Sequence, residues 1–253
     1  MPNRPTRNTL PGYLDLDFPA PPATRPYVIV NMVMSADGKI VIEGTEEGLG
    51  SSDDQRLMGA LRTHADAVLN GAETLRKSGS TPDPGTRELR GFRKARGLPP
   101  SPLGVILSRS GKLPLDSQFF TAPDFQGLVV LADTVSDDLR AEVEAAGRPV
   151  LTVPAEDVVP SMLRILRRDY GVRLLLCEGG AMLNGALFDA GVVDEYFVTV
   201  APRAVGGNGA LTPIRGERDA SVADTRNLRL RSAVPNSQTG EVYLRYDVGT
   251  RKA

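Results

Sequence analysis

From Tyr27 onward the chain alternates between two hydrophobic periods. YVIVNMVMS (27–35) is apolar apart from Asn31, the pattern of a strand buried on both faces of a parallel sheet. SADGK (35–39) has the small and polar residues of a turn. SSDDQRLMGALRTH (51–64) sets Leu57, Met58 and Leu61 behind a Ser/Asp start, which predicts an N-capped amphipathic helix. DAVLNG (66–71) predicts a second buried strand, and ETLRK (73–77) a short helix after it. Residues 78–102, rich in Gly, Pro, Arg and Ser, read as the longest irregular stretch.

Beyond it, strands are expected at LGVILS (103–108), GLVVLA (127–132), PVLTV (149–153), VRLLLC (172–177) and DEYFVTVAP (194–202). Helices are expected at SDDLRAEVEAAG (136–147), AEDVVPSMLRILRRDYG (155–171) and EGGAMLNGALFDAG (178–191). The alternating runs NLRLRSAV (227–234) and GEVYLRYDV (240–248) predict an antiparallel hairpin. Strands alternating with helices imply an α/β fold, a mostly parallel sheet with helices on both faces and the hairpin at one side. The Pro-rich residues 1–25 read as an extended arm and 26–253 as one domain, without repeats or a linker.

Composition removes several kinds of chemistry. A net charge of −1 gives no field for nucleic acid or an anionic membrane surface. Cys177 and His64 are the only residues of their types, so no intramolecular disulfide, thiolate zinc cluster or multi-histidine metal site is expected. No apolar run approaches the roughly 20 residues that span a bilayer. Without a signal-type segment either, the protein is expected in the cytoplasm.

Ligands of open α/β sheets sit beyond the carboxyl ends of strands. Four junctions carry suggestive residues: Ser35–Lys39 with Asp37, Gly71–Thr74, Ser108–Ser110, and Glu178-Gly179-Gly180. Two glycines at a helix start let a phosphate approach free N–H groups and the helix dipole. They also serve any tight strand-to-helix turn. Ser108 and Arg109 suit a 2′-phosphate, although a loop arginine is often only solvated. Gly206, Gly207 and Gly209 form a loop able to cover a cofactor or merely to turn. His64 is read as a cation favoured at a helix C-terminus, and Cys177 as a small core residue. Neither GxxxxGK[ST] nor a strand-to-helix GxGxxG is present, and no GxSxG elbow supports a hydrolase.

Three segments, VMSADGK (33–39), LRTHADAVLNGAETLR (61–76) and LLLCEGGAMLNGALFDAGVVDEYFVTVAP (174–202), resemble in order and spacing the reductase domain of riboflavin biosynthesis deaminase-reductases. The likeness spans about residues 26 to 248. It implies a dihydrofolate-reductase-like three-layer fold, a homodimer, and NADPH reduction of an aminopyrimidine ribosylamine 5′-phosphate at ribose carbon 1, giving a ribityl chain. By motif position it implies cofactor contacts from Met34, Thr74, Ser108 and the segment Gly180 to Ala186, with Ala181, Met182 and Leu183, and the junction reading adds Gly71, Arg109 and Gly179. Asn31, Ser35, Arg62 and Glu178 would meet the substrate, with Glu178, Asp37 and Lys39 as the catalytic candidates.

The chain departs from the family at Ser78, where an acidic residue is usual, and at Asn31, where many bacterial members have lysine. Arg87 or Arg90 stands in for a substrate-contacting arginine. H-x-E with P-C-x-x-C, the zinc deaminase signature, does not occur. The alternatives are a reductase of the same fold acting on another heterocycle, such as a pterin, and a non-catalytic NADPH-binding protein.

Overall fold

The computed structural model describes residues 10–79, 81–207, 211–216, 221 and 224–251, with 250 and 251 described by backbone only. One nine-stranded sheet runs through it in the order β5-β4-β3-β2-β6-β1-β7-β9-β8. The strands are β1 Tyr27–Ser35, β2 Ala67–Gly71, β3 Leu103–Ser108, β4 Gly127–Ala132, β5 Val150–Val153, β6 Leu174–Cys177, β7 Glu195–Ala201, β8 Arg226–Pro235 and β9 Val242–Arg251. β5 through β7 in that order are parallel, and the apolar runs that predicted them are largely buried on both faces. The antiparallel hairpin β8–β9 joins through β9 alongside β7.

Alternate strand residues feed opposite layers. Val28, Val30, Leu69 and Val105 pack with Met162, Leu166, Leu183 and Leu187 of α6 Val158–Arg168 and α7 Ala181–Asp189. Ile29, Val68, Leu174 and Leu176 pack on Leu57, Ala60 and Leu61 of α1 Ser52–Arg62. Further along that face, Ile106, Val129 and Leu131 meet Leu75 of α2 Ala72–Ser78, Phe119 and Phe120 of α4 Gln118–Thr121, and Val143 of α5 Asp137–Ala145. This is the three-layer arrangement expected from the sequence. α1 begins as predicted, with the Ser51 hydroxyl accepting from the Asp53 and Asp54 amides.

The stretch 78–102 is not irregular throughout. It contains α3 Arg87–Ala95, capped by the Thr86 hydroxyl on the Leu89 amide. The residue this helix buries most deeply is Arg93, so its inward face carries a charge where a hydrophobic period would be sought. The described part of the N-terminal arm carries one local element. A short 3₁₀ turn at Tyr13–Asp15 buries Tyr13 edge-on to Phe197, while residues 1–9 lie outside the described residues.

His64 belongs to this packing and is not the cation expected at the end of α1. Its Nε2 donates to the Tyr13 carbonyl and its Nδ1 accepts from Arg96, the neutral tautomer. Burial holds its pKa below the ordinary value, and the Arg96 charge adds to that. Cys177 is fully buried, as read, and burial pushes its thiol up to about 12.

The Asp194-Glu195 pair fastens the periphery to the sheet. Asp194 takes both ends of the Arg25 guanidinium and the Val28 amide. Glu195, fully buried at the start of β7, accepts from Arg245, Arg231 and the Tyr27 hydroxyl. Several donors on one buried carboxylate are what keep such a charge tolerable. Among the described residues no helix is long and apolar enough to cross a membrane.

Candidate functional site

Because β3, β2, β6 and β1 are parallel and adjacent, their carboxyl ends bring Ser108, Gly71, Glu178 and Ser35 to one edge of the sheet. The β2 and β6 turns abut there. The Gly71 amide donates to the Gly179 carbonyl at 2.8 Å, and the Glu178 amide to the Leu69 carbonyl at 3.0 Å. A Cβ on Gly180 would stand 3.2 Å from the Thr74 hydroxyl, and one on Gly179 would stand 3.0 Å from the Met32 sulfur. Gly179 also has φ +96°, outside the range of ordinary side-chain-bearing residues. The backbone therefore requires glycine at 179, while at 180 a Cβ would crowd the Thr74 hydroxyl.

Gly180 starts α7 with no side-chain cap, and the first turn holds no acidic residue. The amides of Ala181, Met182 and Leu183 thus face the site without a capping side chain, at the positive end of the helix dipole. The Asn184 side chain donates to the Pro213 carbonyl, and the Arg215 amide to the Ala181 carbonyl. Residues 211–216 lie so tightly on α7 that a Cβ on Gly185 would collide with the Arg215 carbonyl oxygen. Donors, glycines and charge balance fit the pyrophosphate of a dinucleotide.

Beside this turn, Arg62 and Glu178 form a two-pronged pair. Nε and Nη2 of Arg62 each donate at 2.7 Å to one Glu178 oxygen, and Nη1 donates at 2.6 Å to the Asp83 carbonyl. Their side chains are 12% and 6% exposed, so the pair is largely dry. Burial opposes the Arg62 charge, but the Glu178 carboxylate outweighs it and raises the arginine pKa. Each Glu178 oxygen retains acceptor capacity for a further N–H or O–H donor.

The first junction forms the turn that SADGK predicts, with hydrogen bonds inside it. The Ser35 hydroxyl donates to Asp37 and accepts from the Lys39 amide. Asp37 also accepts from the Val205 and Gly206 amides, so it tethers the 203–206 loop to β1. These hydrogen bonds, Ser35 first, hold its carboxyl well below the usual range. Ser35 and Asp37 thus have partners inside the turn. The Lys39 ammonium makes no ion pair among the described residues, and Asn31 and Met34 are half-buried on β1. The covering loop is seen only in part, since Gly209 lies outside the described residues.

At the end of β3 the buried Ser108 hydroxyl accepts from the Gly111 amide, and Arg109 is exposed. Two residues of this neighbourhood had no counterpart among the expected contacts: Asp83, whose carbonyl takes Arg62, and Arg93 behind it. The Asp-Pro dipeptide and the Thr86 cap were the available sequence signals. Among the described residues no group of three or more His, Cys, Asp or Glu is placed to hold a metal ion.

Residues 26–238 match the model of the RibD C-terminal domain. The chain is 32% identical over 213 residues to a 2,5-diamino-6-ribosylamino-4(3H)-pyrimidinone 5′-phosphate reductase of Methanothermobacter thermautotrophicus, covering 82% of this chain and 92% of that protein. It is 29% identical to the protein of the same name from Archaeoglobus fulgidus, over 76% of this chain and 88% of the relative. The fold superposes on a crystal structure of a pyrimidine reductase-like protein from Corynebacterium diphtheriae with a TM-score of 0.79 and 24% identity, covering 90% and 93% of the two chains.

Proposed function

The chain belongs to the RibD C-terminal domain family, and on that premise we propose that it reduces 2,5-diamino-6-ribosylamino-4(3H)-pyrimidinone 5′-phosphate to its ribitylamino product, using NADPH. The observation that carries this reading is the placement of the Arg62–Glu178 pair directly before the uncapped, glycine-started helix α7. One feature suits a polar heterocycle and the other a dinucleotide, and only Gly179 and Gly180 separate Glu178 from the first residue of α7. The names of the relatives matched over most of their length support the diamino compound over its deaminated counterpart.

When bound, NADPH supplies the hydride. Gly71, Thr74, Gly179 and Gly180 would admit it, and the Ala181, Met182 and Leu183 amides would hold its pyrophosphate. Ser108 and Arg109 would meet the 2′-phosphate. Glu178, held by Arg62, accepts hydrogen bonds from the pyrimidine edge and fixes the ring's rotation. Ring opening of the ribosylamine leaves a C1′=N bond; hydride adds to C1′ and a proton to the nitrogen. Lys39, the cation of the first junction, would meet the substrate phosphate or a developing negative charge. The same reading includes a homodimer, for which the edge strand β8, with Leu228 and Leu230 exposed, offers an apolar surface.

The test is NADPH oxidation by the purified chain, with the diamino compound and its deaminated form offered in parallel. Faster oxidation with the diamino compound is expected. Oxidation with neither contradicts the assignment.

A further inference from the structure

α3 contributes nothing directly to the edge that holds Glu178, yet it is bound to α1 by contacts that end at Arg62. Arg93 is 1% exposed, the bulkiest of the fully buried side chains. Its Nη1 donates to the carbonyls of Arg62 at 2.8 Å and Ala65 at 2.6 Å, and its Nε to that of Pro99 at 2.8 Å. These include a carbonyl of the last turn of α1, which has no partner within the helix. A guanidinium there satisfies it and sits at the negative end of the α1 dipole.

The same clasp grips α1 from a second side. A Cβ on Gly59 would stand 2.5 Å from the Pro84 carbonyl oxygen and 2.9 Å from Leu89, so the 82–89 segment lies directly on the helix. Asp83 in that segment accepts Nη1 of Arg62 through its carbonyl, while its carboxylate takes Arg90 at 2.6 and 2.8 Å. The backbone of Arg62 is thereby fixed by Arg93 and its head by Asp83. The Glu178 carboxylate is in turn held by two bonds from that head.

We propose that Arg93 is a positioning residue for the reaction: from α3 it fixes the end of α1, and with it the orientation of the Arg62 guanidinium and the Glu178 carboxylate. The inference rests on the functional reading above for its kinetic consequence but not for its structural one. A positioned carboxylate loses effectiveness when displaced by as little as an ångström.

The experiment compares the parent with Arg93→Lys, Arg93→Met and Gly59→Ala. The lysine variant keeps the charge but cannot reach three carbonyls in the same fork. The alanine variant wedges Pro84 off α1 with every donor still present. Each folded variant is read by kcat and KM with the diaminopyrimidinone substrate, by Kd for NADPH, and by the ¹⁵Nε–H signal of Arg62. In Arg93→Lys and Gly59→Ala, kcat should fall about tenfold or more, with the NADPH Kd unchanged and the Arg62 Nε–H signal shifted. Arg93→Met should go further if it folds, and Arg93→Lys decides the matter if it does not. A parent-like kcat in both milder variants, or an unmoved Arg62 signal in them, overturns the proposal. If the parent itself does not turn over this substrate, the functional reading fails, and the Arg62 signal still decides whether Arg93 positions that side chain.

Discussion

Arg62 and Glu178, separated by 116 positions in the chain, meet through two parallel hydrogen bonds of 2.7 Å in a nearly dry setting. Removing one partner leaves the other charge buried and unpaired, which commonly costs about 3–5 kcal/mol. Arg62→Met is therefore expected to lose about 3 kcal/mol of stability in urea unfolding. Glu178→Gln keeps one acceptor and the shape. It should lose about a hundredfold in kcat while binding NADPH as the parent does. Parent-like turnover in Glu178→Gln would reduce the pair to a structural tie.

The α7 start is tested by charge and bulk separately. Gly180→Asp places an anion at the amides of Ala181 to Leu183 and should weaken NADPH by about a hundredfold or more. Gly180→Ala only crowds the Thr74 hydroxyl and should lose much less. Fluorescence titration of both variants measures this, and equal affinities for parent and Asp variant would place the pyrophosphate elsewhere.

Arg109 is the expected partner of the 2′-phosphate. Arg109→Ala should weaken NADPH about tenfold or more and leave NADH nearly unchanged, because only the former carries that group. An equal loss for both cofactors would move the contact away from the end of β3.

Asp54 gives a pH signature away from the site. Burial, helped by the nearby Glu241 carboxylate and opposed by the Thr199 hydroxyl, pushes its pKa up to about 6. The folded state then holds more protons than the unfolded state between about pH 4 and 6, so Asp54 makes stability fall as pH rises through that window. The size is on the order of 2 kcal/mol after its partial exposure is allowed for. Neutral His64 works in the opposite direction: its stability is present above the unfolded pKa and lost as pH falls through the folded one. Comparing urea midpoints of the parent and Asp54→Asn across pH isolates the carboxylate. The variant should lose the downward slope and gain stability at neutral pH.

How much of this was legible depended on what each residue faces. The strands announced themselves, because runs such as VRLLLC and GLVVLA are buried on both faces and need no partner to be recognised. α3 was hidden because its buried position is Arg93, whose polar end is satisfied by carbonyls from separate stretches of chain. The glycine junctions could be placed together at one edge of the sheet, since strand direction and a helix start suffice for that. Which polar residues of a junction turn inward is another matter. Ser35 was expected at the substrate and Asp37 as a catalytic candidate; what the sequence did not show is that Asp37 also takes the Val205 and Gly206 amides, from a loop far along the chain.

If the chain transfers a hydride from a cofactor at α7 to a substrate beside Glu178, the transferred atom can be followed. The most direct measurement is turnover with NADPH carrying deuterium at both positions of nicotinamide C4, followed by mass and NMR analysis of the pyrimidine product. One deuterium at C1′ of a ribityl chain is expected, transferred from one face of the nicotinamide and appearing about a hundredfold more slowly with Glu178→Gln. An unlabelled product, or label on the pyrimidine ring, would contradict the proposed function.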